Sequence, residues 1–259
     1  NLLASGLVLL GISMLYGITG HLLMEPLGRS VRQIYETGQY MEPLTVVIAL
    51  ITAGLAIKSA MFPFHAWAPD TYAFAPPMSS AILSGLIGKA YIFLLIKFIF
   101  RVIGLDIIVA SHIDSILFAC GVTGMIIGSV MAISQRDIRR MVAYSSVSQI
   151  GYIYMGLGMG TEVGVAAALF QMLAHAAAKS LLFLSTNELT SVSGDRKRFH
   201  YLHGAGYRNP VAGVVFTVGA MSLVGIPFTG GFVAKLYLAT AGMPLGGWVR
   251  ALVLVALAV

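Results

Sequence analysis

Eight long apolar runs leave this chain very few ways to fold. They cover roughly 1–20, 43–62, 76–100, 112–133, 139–158, 163–187, 211–241 and 244 to the end. A helix needs about 20 such residues to cross the hydrocarbon layer. Inside that layer every backbone N–H and C=O must find a partner within its own segment or in a closed barrel. These runs are too long for barrel strands and do not alternate. The expected fold is therefore an all-α polytopic membrane protein with about eight transmembrane helices. Composition agrees: 58% of the residues are hydrophobic and 10% charged, against roughly 25% charged in soluble domains.

Asn1 starts within an apolar run and Val249–Val259 ends within one, so both ends read as cut from a longer polytopic protein. The formal charge of +6 is divided between apolar segments and loops. It forms no single basic stripe, which argues against nucleic-acid binding. The single cysteine, Cys120, lies in an apolar run and reads as a small buried filler, with no disulfide partner and no cluster to ligate. Arg136, Arg139, Arg140, Arg196, Lys197, Arg198 and Arg208 fall on one side if each run crosses once. Arg29, Arg32 and Arg101 fall on the other. The excess assigns the first group to the cytoplasm, and the protein to the inner (cytoplasmic) membrane.

Five lysines interrupt the apolar segments: Lys58, Lys89, Lys97, Lys179 and Lys235. A charged side chain at the bilayer centre costs ~2.5–3.5 kcal/mol on insertion scales, and such residues usually line ion or proton paths. Burial also disfavours the charged form of a lysine, which lets it release a proton that it would hold tightly in water. Lys58 lies deep in its run, with snorkelling as the alternative reading. Lys89 sits midway along 76–100 beside Gly85 and Gly88, which would allow close helix approach. Lys97 lies near the helix end beside Arg101, where snorkelling explains it. Gln171, His175 and Lys179 follow one another every four residues and share one helix face. Lys235 follows a glycine pair.

Two runs carry helix breakers. Lys58 precedes Pro63, and Gly225-Ile226-Pro227 and Gly230-Gly231 precede Lys235. Proline removes a helix hydrogen bond, so both places are expected to unwind. Interrupted helices at corresponding places in two halves point to a transport site. The loop 21–42 is expected to hold a surface helix around Leu27–Tyr35. His65, Trp67 and Asp70 read as an interfacial anchor, with Asp70 capping the next helix. Asp137 reads as a solvated loop acid paired to arginine, and Gly156, Gly158 and Gly160 as a turn. His200 and His203 lack the Cys or carboxylate company of a metal site.

These motifs resemble one family. Lys58-Ser-Ala-Met-Phe-Pro-Phe-His-Ala-Trp-Ala-Pro-Asp70 and Ala75-Pro-Pro-Met-Ser-Ser-Ala81 are similar to the signature of the proton-conducting antiporter-like membrane subunits. So are Gln135-Arg-Asp-Ile-Arg-Arg-Met-Val-Ala-Tyr-Ser-Ser146, His175-Ala-Ala-Ala-Lys-Ser-Leu-Leu-Phe183 and Gly225-Ile-Pro-Phe-Thr-Gly-Gly-Phe-Val-Ala-Lys235. That family includes pump subunits of complex I (NADH:quinone oxidoreductase), of membrane-bound hydrogenases and of Mrp-type cation/proton antiporters.

The resemblance implies two inverted repeats, each with a broken helix. The first would end near residue 105, and the second would cover 112–259 incompletely. It assigns Lys58, Lys89, His175, Lys179 and Lys235 to a proton relay. A glutamate partner of Lys58 is expected on a helix before Asn1. In this scheme that pair opens and closes, altering the proton affinity of Lys89. A unit charge 7–10 Å away contributes on the order of 2 kcal/mol at an effective dielectric near 20, enough to switch a poised lysine. The expected partners are other membrane subunits, protons, in one reading Na⁺, and the lipid bilayer. No cofactor is expected in this chain, so the driving energy would come from a redox partner or an opposing ion gradient. A non-conducting scaffold subunit is the competing class.

Overall fold

The ends of the apolar runs, and the breakers inside them, decide where each helix starts and stops. The computed structural model describes residues 2–258; Asn1 and Val259, at the outer ends of the first and last runs, lie outside the described residues. The helices are α1 (Leu2–Thr19), α2 (Met24–Thr37), α3 (Met41–Lys58), α4 (Trp67–Phe74), α5 (Pro77–Ile82), α6 (Gly88–Phe98), α7 (Leu105–Ala110), α8 (Ile113–Ile133) and α9 (Ile138–Leu157). They continue with α10 (Glu162–Ser191), α11 (Ala205–Arg208), α12 (Pro210–Val224), α13 (Gly230–Gly242) and α14 (Gly247–Ala258). Short π-helical stretches, Leu83–Ile87 and Ile99–Ile103, join and extend α5 and α6 into one run, Pro77–Ile103.

Among the described residues five helices are long and apolar enough to cross a membrane: Leu2–Thr19, Met41–Lys58, Pro77–Ile103, Ile113–Ile133 and Glu162–Ser191. The other three runs differ for identifiable reasons. The polar sequence Tyr144–Gln149 lowers the apolarity of α9. The run 211–241 is divided into α12 and α13, and α14 extends over only 12 residues. The surface helix expected in 21–42 is α2, held down by buried Leu27, Val31 and Ile34.

At the first interruption α3 stops at Lys58, Ala60 takes a left-handed φ of 61°, and a 3₁₀ turn over Phe64–Ala66 leads into α4. The Trp67 indole donates to the Ile57 carbonyl at 3.1 Å, satisfying an acceptor near the helix end. At the second, α12 ends at Val224 and α13 begins at Gly230. A methyl on Gly231 would lie 1.7 Å from the Ser222 carbonyl oxygen, so only glycine lets the two segments pass this closely.

The closest helix pair is α8 with α9. Methyls on Gly121 and Gly128 of α8 would meet the backbone nitrogens of Met155 and Ser148 at 2.3 and 2.5 Å. Methyls on Gly151 and Gly158 would meet those of Met125 and Phe118 at 2.5 and 2.2 Å. Both pairs are seven residues apart, two helical turns. Small residues at such a seam bring backbones together, and van der Waals contact then drives association. Gly158 is thus a packing residue as well as part of a turn.

Two acids have other roles than the sequence suggests. Asp70 lies within α4 and pairs with Arg140 at 2.6 Å, tying the segment after the first break to α9. Asp137 is the N-cap of α9, accepting from the Arg139 and Arg140 amides at 2.8 and 3.2 Å. Asp137→Ala is expected to destabilise the fold by about 1 kcal/mol, the usual effect of losing a cap. Thermal unfolding of the purified variant in detergent checks this; an unchanged midpoint would refute it. Beside this cap the loops before α9 and after α10 meet, with Ile138 N–H donating to Lys197 O and Phe199 N–H to Arg136 O.

Candidate functional site

Helix α10 supplies the axis of the site. Thr161 caps it, and Gln171, His175 and Lys179 form a buried stripe along one face, at 2%, 1% and 0% exposure. Helix α9 runs against that face. The Lys179 ammonium donates to the Val142 carbonyl at 2.7 Å and to Ser145 Oγ at 2.5 Å. Two turns along α10, Gln171 donates to the Gln149 side-chain oxygen. His175 lies between these levels, and neither of its ring nitrogens has a hydrogen-bond partner among the described residues.

Lys89 comes to the same place from α6. It is buried at the first turn after the π stretch Leu83–Ile87, and its ammonium donates to the Ser84 carbonyl. Single π turns inside helices often mark functional sites. Ser84 Oγ in turn lies 3.0 Å from Ser146 Oγ, which hydrogen-bonds the same Val142 carbonyl that Lys179 holds. One chain of protein groups therefore connects the two buried amines. Gly85 permits it, since a methyl there would lie 2.5 Å from Ser180 Oγ on α10. Gly88 has no comparably close neighbour.

Lys235 joins from the second interruption. It is half-buried, with its Nζ 4.9 Å above the Tyr152 ring. Such cation–π contacts suit a partly desolvated ammonium. Its side chain passes Gly225, which has a φ of 85°; a methyl there would lie 2.9 Å from Lys235 Cδ. A cavity of about 480 Å³ is lined by Lys235, Tyr152 and Gln149, and also by Val142 and Ser145, the acceptors of Lys179. Gln149 closes one side with a 3.5 Å bond to Leu223 O at the end of α12.

Lys58 stands apart. It is the last residue of α3, half-buried, 5.0 Å above the Tyr91 ring. It lines a separate cavity of about 430 Å³ that reaches Gly88, the residue before Lys89. Ser59, its neighbour, bonds Tyr154 of α9 at 2.6 Å. None of the five lysines forms a salt bridge among the described residues. Lys97 is exposed and lines a different cavity, shared with Arg29, Arg32 and Arg101.

Three of the candidates, Lys89, His175 and Lys179, are thus gathered between α6, α9 and α10. Lys235 is joined to them by a cavity, while Lys58 lines a separate cavity that reaches Gly88. Reading the lysines alone passes over Ser84, Ser145, Ser146 and Gln149. For Ser145, Ser146 and Gln149 the signal is the polar run Tyr144–Gln149 inside a longer apolar segment; Ser84 lies in no such run and carries no such signal.

A buried basic cluster on packed apolar helices defines a membrane protein built around interior charge. Residues 1–259 match the family described as NADH:quinone oxidoreductase/Mrp antiporter, transmembrane, and the chain belongs to that family. It is 35% identical over 252 residues to NADH-quinone oxidoreductase subunit N of Desulforudis audaxviator, covering 95% of this chain and 48% of the relative. Among solved structures it resembles a chain of the membrane-bound sulfane sulfur reductase, an archaeal respiratory membrane complex. The TM-score is 0.87 at 30% identity, over 98% of this chain and 51% of that one. A chain of the Mrp complex from Dietzia sp. gives a TM-score of 0.85 at 30% identity, over 99% and 46%. The chain spans about half the length of the curated relatives it matches.

Proposed function

We propose that this chain moves protons across the inner (cytoplasmic) membrane through Lys58, Lys89, His175, Lys179 and Lys235, as a subunit of a redox-driven complex. The observation that carries the reading is the hydrogen-bonded bridge from Lys89 through Ser84, Ser146 and Val142 to Lys179, all within apolar helices. The backbone carbonyls in that bridge hold the amines but do not pass protons. The exchange itself runs through His175 and water, because two buried ring nitrogens need hydrogen-bond partners and water supplies them in polar cavities. The cavity between Ser145 and Lys235 carries the proton onward, and the Lys58 cavity feeds Lys89.

On this reading all eight apolar runs cross the bilayer, α3/α4 and α12/α13 act as broken membrane helices, and the two breaks belong to inverted repeats that divide near 105–112. The basic loops before α9 and after α10 face the cytoplasm. Similarity to a subunit of an NADH-quinone oxidoreductase supports the redox-driven assembly. Similarity to the Mrp complex supports a second reading, a subunit of a Na⁺/H⁺ antiporter. Acidification of everted vesicles carrying the whole complex separates them. Under the first reading NADH or hydrogen drives proton uptake with sodium absent; uptake that needs a sodium gradient and ignores the reductant would favour the second.

A further inference from the structure

Away from the buried lysines, a cavity of about 460 Å³ opens where α2 crosses the end of the run Pro77–Ile103. Arg29, Arg32, Lys97 and Arg101 line it, all exposed; its acid is Glu25, already paired with Arg29 at 2.6 Å. Arg32, Lys97 and Arg101 have no carboxylate partner among the described residues. The pocket is preformed, because α2 is seated by Leu27, Val31 and Ile34 and its Gly28 lies directly on the Arg101 carbonyl; a methyl there would be 2.6 Å from that oxygen.

A second, apolar groove of about 160 Å³ adjoins it and shares Met24 and Val102 with the basic pocket. It is lined from there by Ile12, Leu15, Leu94 and Phe98. Phe98 and Leu94 stand about one and two turns back from Arg101 along the run Pro77–Ile103, so the groove follows the spanning helix away from its charged end.

We propose that this composite site binds an anionic phospholipid, with its phosphate among Arg32, Lys97 and Arg101 and one acyl chain along the groove. Guanidinium groups match phosphate geometry with paired donors, and an acyl chain gains by covering the apolar surface of the groove. A soluble anion would use the charge but not the groove. A zwitterionic lipid would use the groove but gain less from three unpaired cations.

Native mass spectrometry of the intact complex in detergent tests this, with added phosphatidylglycerol, phosphatidylcholine of the same chains, or inorganic phosphate. The wild-type protein should retain phosphatidylglycerol about tenfold or more over phosphatidylcholine, and the double variant Arg32→Gln/Arg101→Gln should lose that preference. Leu94→Trp, which fills the groove, should release the long-chain lipid while a short-chain phosphatidylglycerol still binds. Equal retention of both lipids, an unaltered preference in the double variant, or unchanged long-chain binding in Leu94→Trp would overturn the proposal. So would phosphate alone displacing the lipid at millimolar concentration. The substituted arginines are exposed, and gel filtration of each variant as a single species keeps a loss of binding distinct from a loss of fold.

Discussion

Lys179→Ala is expected to lower proton flux about 100-fold, the scale on which a positioned proton carrier acts, while the protein still assembles. Its ammonium is wholly buried and has two fixed acceptors, Val142 O and Ser145 Oγ. Truncation removes the basic group whose acceptors both line the Lys235 cavity, one of them, the Val142 carbonyl, also belonging to the Lys89 bridge. Lys179→Arg separates charge from exchange. A guanidinium keeps the positive charge but does not deprotonate in proteins, so this variant should fold and fail to conduct. If Lys179→Arg conducts normally, the amine acts only as a fixed charge. Flux into everted vesicles reads both variants, with assembly followed by native gel.

A large loss of stability is expected of Gly158→Ala. The added methyl would meet Phe118 N at 2.2 Å, Phe118 Cα at 2.5 Å and Asp114 O at 2.7 Å. All three are backbone atoms, so no side chain can rotate away, and α8 and α9 must separate. Overpacking of this kind costs about 3 kcal/mol, and separation would also loosen the opposing seam at Gly121, Gly128 and Gly151. Gly17→Ala is the control. Nothing lies within 4 Å of its added methyl, and it sits in α1, where alanine is favoured over glycine by about 1 kcal/mol. Thermal unfolding in detergent should show a fall of many degrees for the first and none for the second. Equal midpoints would mean that the α8–α9 seam does not limit stability.

Much of this architecture could be read from the chain itself. Apolar run lengths place most spans to within a few residues, since hydrocarbon allows few alternatives to helix. Proline and glycine locate both interruptions: Pro63 follows the end of α3, and Gly225 has a left-handed φ beyond α12. The four-residue spacing of Gln171, His175 and Lys179 correctly puts them on one buried face. The partners of these groups were harder to read. Ser84 and Ser146 meet across 62 residues, and no local pattern encodes which serine of Tyr144–Gln149 faces which helix. Asp70 shows the same limit, since its position suggests a cap while its carboxylate is engaged by Arg140 on another helix.

Proton flux in Lys89→Ala, measured beside Lys197→Ala in everted vesicles holding the whole complex, tests the relay most directly. Lys89 is buried at the start of the bridge to Lys179, whereas Lys197 lies in the loop before α11 and touches none of it. The expected result is near-complete loss of flux in the first and a rate within about twofold of wild type in the second, following the scale of a lost proton carrier. Full flux in an assembled Lys89→Ala complex would contradict the relay and leave the scaffold reading standing.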